Sequence, residues 1–134
     1  NYIKMELKFS MRVFLDCNDL QESIINKMNN EYNWSLMRKG LPIRKNSRFL
    51  AEHDCLVFKN ILSVADTNEL NSKLIGEKIK EICKDLDSMN IKGKRELYLN
   101  LVSEDEQFGF LLPANFLHVL SSSNVSLSVN GIFI

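Results

Sequence analysis

Glu52, His53, Asp54 and Cys55 stand side by side, a thiol and an imidazole flanked by two carboxylates. These are the residue types of a cysteine nucleophile with its base and an orienting acid. The spacing argues against that chemistry. In an extended chain neighbours point to opposite faces, so His53 and Cys55 share a face and Asp54 does not. A base must reach its nucleophile and be held by a third group, which one local run does not arrange. The expectation is an exposed cluster at a strand edge, with no catalytic residue and no enzymatic activity. His118, between Phe116 and Leu120, is expected to be a surface or partly buried histidine and not a ligand.

The remaining chemistry-bearing types are sparse. Cys17, Cys55 and Cys83 are far apart and form no C-x-x-C pair, which disfavours a zinc site or a thioredoxin-like motif. They read as reduced, mostly buried cysteines of a cytoplasmic protein. There is no phosphate loop and no G-x-G-x-x-G run. The acidic turn SEDEQ, with Glu104, Asp105 and Glu106, lacks the spaced oxygens and glycine of a calcium loop. No metal and no cofactor is expected.

Charge is balanced overall, with 17 basic and 17 acidic residues, yet RKGLPIRKNSR gathers Arg38, Lys39, Arg44, Lys45 and Arg48 with no acid among them. Gly40 and Pro42 break regular structure here, so the stretch reads as a loop or hairpin, and with Tyr32, Trp34 and Phe49 nearby it could grip single-stranded nucleic acid. A dedicated nucleic-acid binder would carry a basic excess over the whole domain, so that reading ranks last. A solvated loop that discourages edge pairing ranks first, and a surface for an acidic protein partner second. The candidate partner-binding residues are these five cations and the acidic group Glu104, Asp105 and Glu106.

The elements that must hold these residues are legible from periodicity. Residues 6–15 alternate, with Leu7, Phe9, Met11, Val13 and Leu15 on one face, as in a half-buried strand. A helix follows between Asn18 and Asn30, with Leu20, Ile24 and Met28 in one stripe. Tyr32–Met37 and Cys55–Val64 read as strands, and the second fits strict alternation poorly. A second helix starts at Asp66 or Thr67 with Glu69 in a capping box. Its stripe is Leu70, Leu74, Ile75, Ile79, Ile82, Cys83 and Leu86. Gly76 costs it about 1 kcal/mol relative to Ala and is expected to serve close packing. Glu96–Val102 is a strand, FGFLL its hairpin return, and Pro113 opens a short helix. Val125, Leu127 and Val129 mark a last strand with one apolar face.

This order predicts one α+β domain over residues 1–134. Its sheet is mostly antiparallel with helices on one face. A ferredoxin-like βαββαβ start is followed by a β-hairpin, a short helix and a C-terminal strand. No apolar run approaches the roughly 20 residues that span a bilayer, and charges interrupt the opening NYIKMELKFS, unlike a signal peptide.

Trp34, Lys39, Gly40 and Pro42, in WSLMRKGLP, resemble a tryptophan and Lys-Gly pattern of a family of small bacterial proteins whose domain has no assigned function. The C-terminal FGFLLPANFLHVLSSSNVSLSVNGIFI resembles that family's ending of apolar strand, short helix and alternating strand. Phe58 stands where a second tryptophan is usual. The resemblance implies a one-domain α+β protein without known catalysis, similar to immunity proteins of toxin systems, including contact-dependent growth inhibition. It implies a cognate toxin domain as partner. The alternative is a small ligand-binding or regulatory module on a ferredoxin-like sheet, which predicts an apolar pocket with a few converging polar groups.

Overall fold

The alternation of residues 6–15 produces a central strand, Met5–Phe14 (β1), in a computed structural model that describes residues 5–16, 24, 26–104 and 109–133. Leu7, Phe9, Met11 and Val13 are buried on one face of it. The other elements are β2 (Trp34–Met37), β3 (Cys55–Val64), α1 (Glu69–Ser88), β4 (Arg95–Ser103), α2 (Ala114–Ser122) and β5 (Val125–Phe133). The sheet order is β2-β3-β1-β4-β5. Every pair is antiparallel except β4 with β5.

The fold is therefore α+β with a mostly antiparallel mixed sheet. Its first four strands take the ferredoxin-like order, and β5 adds to the β4 edge through α2. The helix expected between Asn18 and Asn30 falls largely on residues 17–23 and 25, outside the described residues. Its last turn is described: the Met28 amide donates to the Ile24 carbonyl at 2.9 Å, and both side chains are buried.

Phe9, Phe58 and Phe116 anchor the layer between sheet and helices, each almost fully buried. Burying one such side chain contributes about 1.5–3 kcal/mol. Phe9 and Phe116 meet edge to face at 6.2 Å, joining the central strand to α2.

Five local expectations need correction. The capping residue of α1 is Asn68, whose side chain accepts from the Asn71 amide at 2.8 Å, so the helix begins later than Asp66 or Thr67. The buried stripe of α1 runs through Ser72, Ile75, Gly76, Ile79, Ile82, Cys83 and Leu86. Leu70 and Leu74 lie off that arc and are exposed, because the stripe's phase is set by the residues that reach the sheet.

Gly76 does face α2, but a Cβ there would stand 3.7 Å from Val119 and 3.9 Å from Phe116, ordinary contact that does not require glycine. The hairpin return strand is absent: residues 109–112 are irregular. Both edges of β4 are already taken, by β1 and β5, so no edge is left for it. Phe110 and Leu112 pack on the core instead. Pro113 occupies the position just before α2 rather than its first turn.

The poor alternation of β3 has a structural cause. Phe9 pairs with Leu62 and Met11 with Phe58, so β3 passes Lys59, Asn60 and Ile61 while β1 passes Ser10 alone. This bulge puts Asn60 at φ 49°, a left-handed conformation that Asn tolerates better than most residues.

Candidate functional site

The segment between β2 and β3 folds into a narrow arm. Gly40, at φ 84°, turns the chain away from β2 in a conformation that suits glycine. Its amide donates to the Ala51 carbonyl at 2.9 Å, and the Ala51 amide returns a bond to Leu41 at 2.8 Å. Pro42 bridges Leu50, and the Ile43 amide donates to Phe49 at 3.0 Å. The tip is a turn from Arg44 to Ser47, closed by a 3.0 Å bond, with Asn46 left-handed at φ 66°. Ser47 Oγ accepts from the Phe49 amide and shapes the return.

The base of the arm is fixed by the cluster that suggested catalysis. Asp54 Oδ1 accepts from the Lys39 amide at 2.8 Å, and the Asp54 carbonyl accepts from the Leu15 amide at 2.9 Å. His53 is exposed and meets Phe14 edge-on at 5.3 Å. Cys55 is buried, and burial pushes its thiol pKa up, against the lowering pull of Arg12. Asp54 is thus committed to backbone amides and Cys55 is held as a neutral thiol. Cys83 is likewise buried and free, its thiol pushed up by burial. Cys17 lies outside the described residues. Among the described residues no group of His, Cys, Asp and Glu is placed to hold a metal.

The arm joins the basic residues to something the charge pattern alone did not pick out. Arg38, Lys39, Arg44, Lys45 and Arg48 are all exposed, and no described carboxylate pairs with them. Leu41, Phe49 and Leu50 are exposed by 54, 61 and 56 %, and Ile43 by 38 %. Arg48 stacks over the Phe49 ring at 5.4 Å. The result is an outward surface that is cationic and apolar at once. The apolar residues were visible in RKGLPIRKNSR and the two that follow it, and Gly40 and Pro42 suggest a loop or hairpin there; the missed signal was Asn46, whose left-handed turn closes the hairpin.

The acidic candidates lie elsewhere. Glu104 follows β4, whose Ser103 pairs with Met5 at one end of β1, whereas the arm leaves from the other end, where Phe14 pairs with Cys55. Asp105 and Glu106 are outside the described residues. Tyr32 and Trp34 are half-buried against the core, so they do not join Phe49 as a stacking platform.

A second feature sits at the β3 bulge. A cavity of about 240 Å³ is lined by Tyr32, Asn33, Phe58, Asn60, Lys78 and Glu81, among others. Tyr32 and Phe58 stack edge to face at 6.0 Å on one side of it. The Tyr32 hydroxyl donates to Asp85 at 2.7 Å, and its pKa is raised, first by burial and then by that bond. Tyr32 therefore serves as a neutral hydrogen-bonding wall.

Comparison with family models, curated proteins and solved structures finds no match to this chain. Functional inference accordingly rests on the arm and the cavity. Among the described residues no helix is long and apolar enough to cross a membrane.

Proposed function

We propose that this chain is a cytoplasmic immunity protein, which binds a cognate bacterial toxin domain and neutralises it by covering its active site or substrate entry. The observation that carries the reading is the arm: Leu41, Ile43, Phe49 and Leu50 exposed on a hairpin beside five cations that pair with no described carboxylate. Isolated surface apolar residues are common, but the pairing sets Leu41, Ile43 and Phe49 on one face of the hairpin, with Leu50 on the other, and such a face is a patch of the kind that partners cover. Aromatic and arginine side chains dominate binding energy at such centres. The surrounding charge speeds encounter with an acidic partner and rejects basic ones. Binding of this kind needs no chemistry from the inhibitor, in keeping with an Asp54 and a Cys55 that are occupied structurally.

The test is growth. A toxin-domain gene immediately upstream of this chain's gene would supply the candidate partner, and the two are co-expressed. Cells carrying both are expected to grow, and cells carrying the toxin alone to arrest. Equal arrest in the two cultures would remove the immunity reading.

A small ligand-binding module is the second reading, favoured by the cavity beside Tyr32 and Phe58. A screen of small polar aromatic compounds by thermal shift tests it. A compound that raises the melting temperature of the native chain, and not of a Lys78→Ala variant, would favour this reading.

A further inference from the structure

β5 ends the sheet, with β4 on its inner side and no described strand on its outer side. A bare edge offers unpaired amides and carbonyls to any other strand. Soluble proteins block such edges with charge, proline, a bulge or a very short strand. β5 has none of these. VSLSVNGIF is nine residues long, carries no charged residue and no proline, and pairs with β4 without a register shift. The opposite edge is a contrast: β2 has only four residues and leads directly into Arg38, Lys39 and the arm.

Apolar surface follows the same edge. Val129 and Ile132 are 48 and 56 % exposed. Val119 of α2 faces α1 at Gly76. Leu117 is two residues earlier, about 160° round the helix, and so faces away from α1, on the side of β5. It too is exposed.

We infer that β5 pairs antiparallel with β5 of a second copy of this chain, about a two-fold axis at Val129, joining two sheets into one. That register sets Val125 against Phe133, Ser126 against Ile132, Leu127 against Gly131 and Ser128 against Asn130. Each pair belongs to one face, so the helices of both copies stay on the same side and each Leu117 flanks the axis. A residue near a two-fold axis meets its own copy, and a charge there would repel itself. Every pair in this register is neutral. A foreign partner recognised by charge finds nothing to read on β5, whereas the arm at the other end of the sheet is rich in it. A second copy is therefore the occupant that the edge fits.

Sedimentation equilibrium of the full chain tests the pairing. The expected species has twice the mass of one chain. Val129→Lys places two ammonium groups on the axis and is expected to halve the mass while leaving the circular dichroism spectrum unchanged. Val129→Thr keeps β-branching without charge and is expected to keep the double mass. If Val129→Lys does not fold, Ile132→Lys, on the other face and more exposed, replaces it. Hydrogen exchange adds a local readout: the outward alternate amides of β5 are protected in the wild type and exchange freely in the lysine variant. A wild type that sediments as one copy at high concentration overturns the inference. So does a lysine variant that keeps the double mass, or a dimer whose outward β5 amides exchange freely.

Discussion

The Tyr98 hydroxyl donates to the Glu96 carboxylate two residues earlier on β4, on the sheet face opposite the helices. Lys94 pairs with the other oxygen of Glu96 at 2.9 Å, and Arg12 lies over the Tyr98 ring at 5.5 Å. The Tyr98 bond, then Lys94, hold the Glu96 pKa below its usual value. Tyr98 itself is pushed up to about 12, first by burial and then by Glu96. The two shifts act at opposite ends of the pH scale. A lowered carboxylate stabilises the fold above its unfolded pKa, about 4.3, and that stability is lost as pH falls through the folded value. A raised tyrosine stabilises below about pH 10, and its contribution is lost as pH rises toward the folded value. Tyr98→Phe is expected to move the acid limb of the unfolding curve to higher pH and to raise the Glu96 pKa in an NMR titration. An unchanged Glu96 titration would show that the bond is not made in solution.

Arg95 predicts a second, larger effect. Only 7 % exposed, it donates to the carbonyls of Ile91 at 3.2 Å and Ser123 at 3.1 Å, and to Asp87 at 2.5 Å. One side chain thereby ties the end of α1, the start of β4 and the end of α2. Arg95→Met leaves two carbonyls without their donor, at about 1–3 kcal/mol for each buried group left unpaired. Asp87 is mostly exposed, so Asp87→Asn, which keeps an acceptor oxygen, is expected to cost less. Urea unfolding of the two variants gives the ranking, and equal losses would contradict it.

Two glycines predict opposite signs. A Cβ on Gly93 would stand 1.7 Å from the Phe14 carbonyl oxygen, at the point where Lys94 bonds the Phe14 amide. Gly93→Ala must displace backbone and is expected to cost about 1–3 kcal/mol, as overpacking does. At Gly76 the same methyl meets only ordinary contacts, so Gly76→Ala is expected to gain up to about 1 kcal/mol from helix propensity. Melting temperatures of the two variants should fall on either side of the wild type.

How much of this was legible in the sequence depended on whether the cause was local. Alternation placed β1, because side-chain direction in a strand follows from chain geometry alone, and β-branched and aromatic content gave β3 its bounds from Cys55 to Val64. The misfit of Lys59 and Asn60 to that alternation was visible too, but its meaning as a bulge appears only once β1 is laid beside it. The return strand at residues 109–112 failed for a related reason. An apolar run cannot announce that the edge it would use is filled by β5, which comes later in the chain. Leu70 and Leu74 fitted a helical stripe, yet the phase that wins is the one that packs on the sheet. For the arm, Gly40 and Pro42 mark a loop or hairpin, but not the pairing of Pro42 with Leu50 that displays Phe49.

That display gives the last prediction. The arm's side chains are exposed and support no other element, so Arg44→Glu with Lys45→Glu, or Phe49→Ala alone, should change stability by no more than about 0.5 kcal/mol. Under the proposed immunity function, their effects on toxin binding should separate. Reversing two charges removes steering, so the association rate falls and its salt dependence weakens or inverts. Removing Phe49 takes away an apolar anchor and the ring on which Arg48 stacks, so dissociation quickens, with a loss of about 1–2 kcal/mol or more if Phe49 is a hot spot. Surface plasmon resonance against a toxin domain from which the chain protects cells reads both rates. If neither variant alters either rate, the arm is a solvated loop and the contact lies on another face.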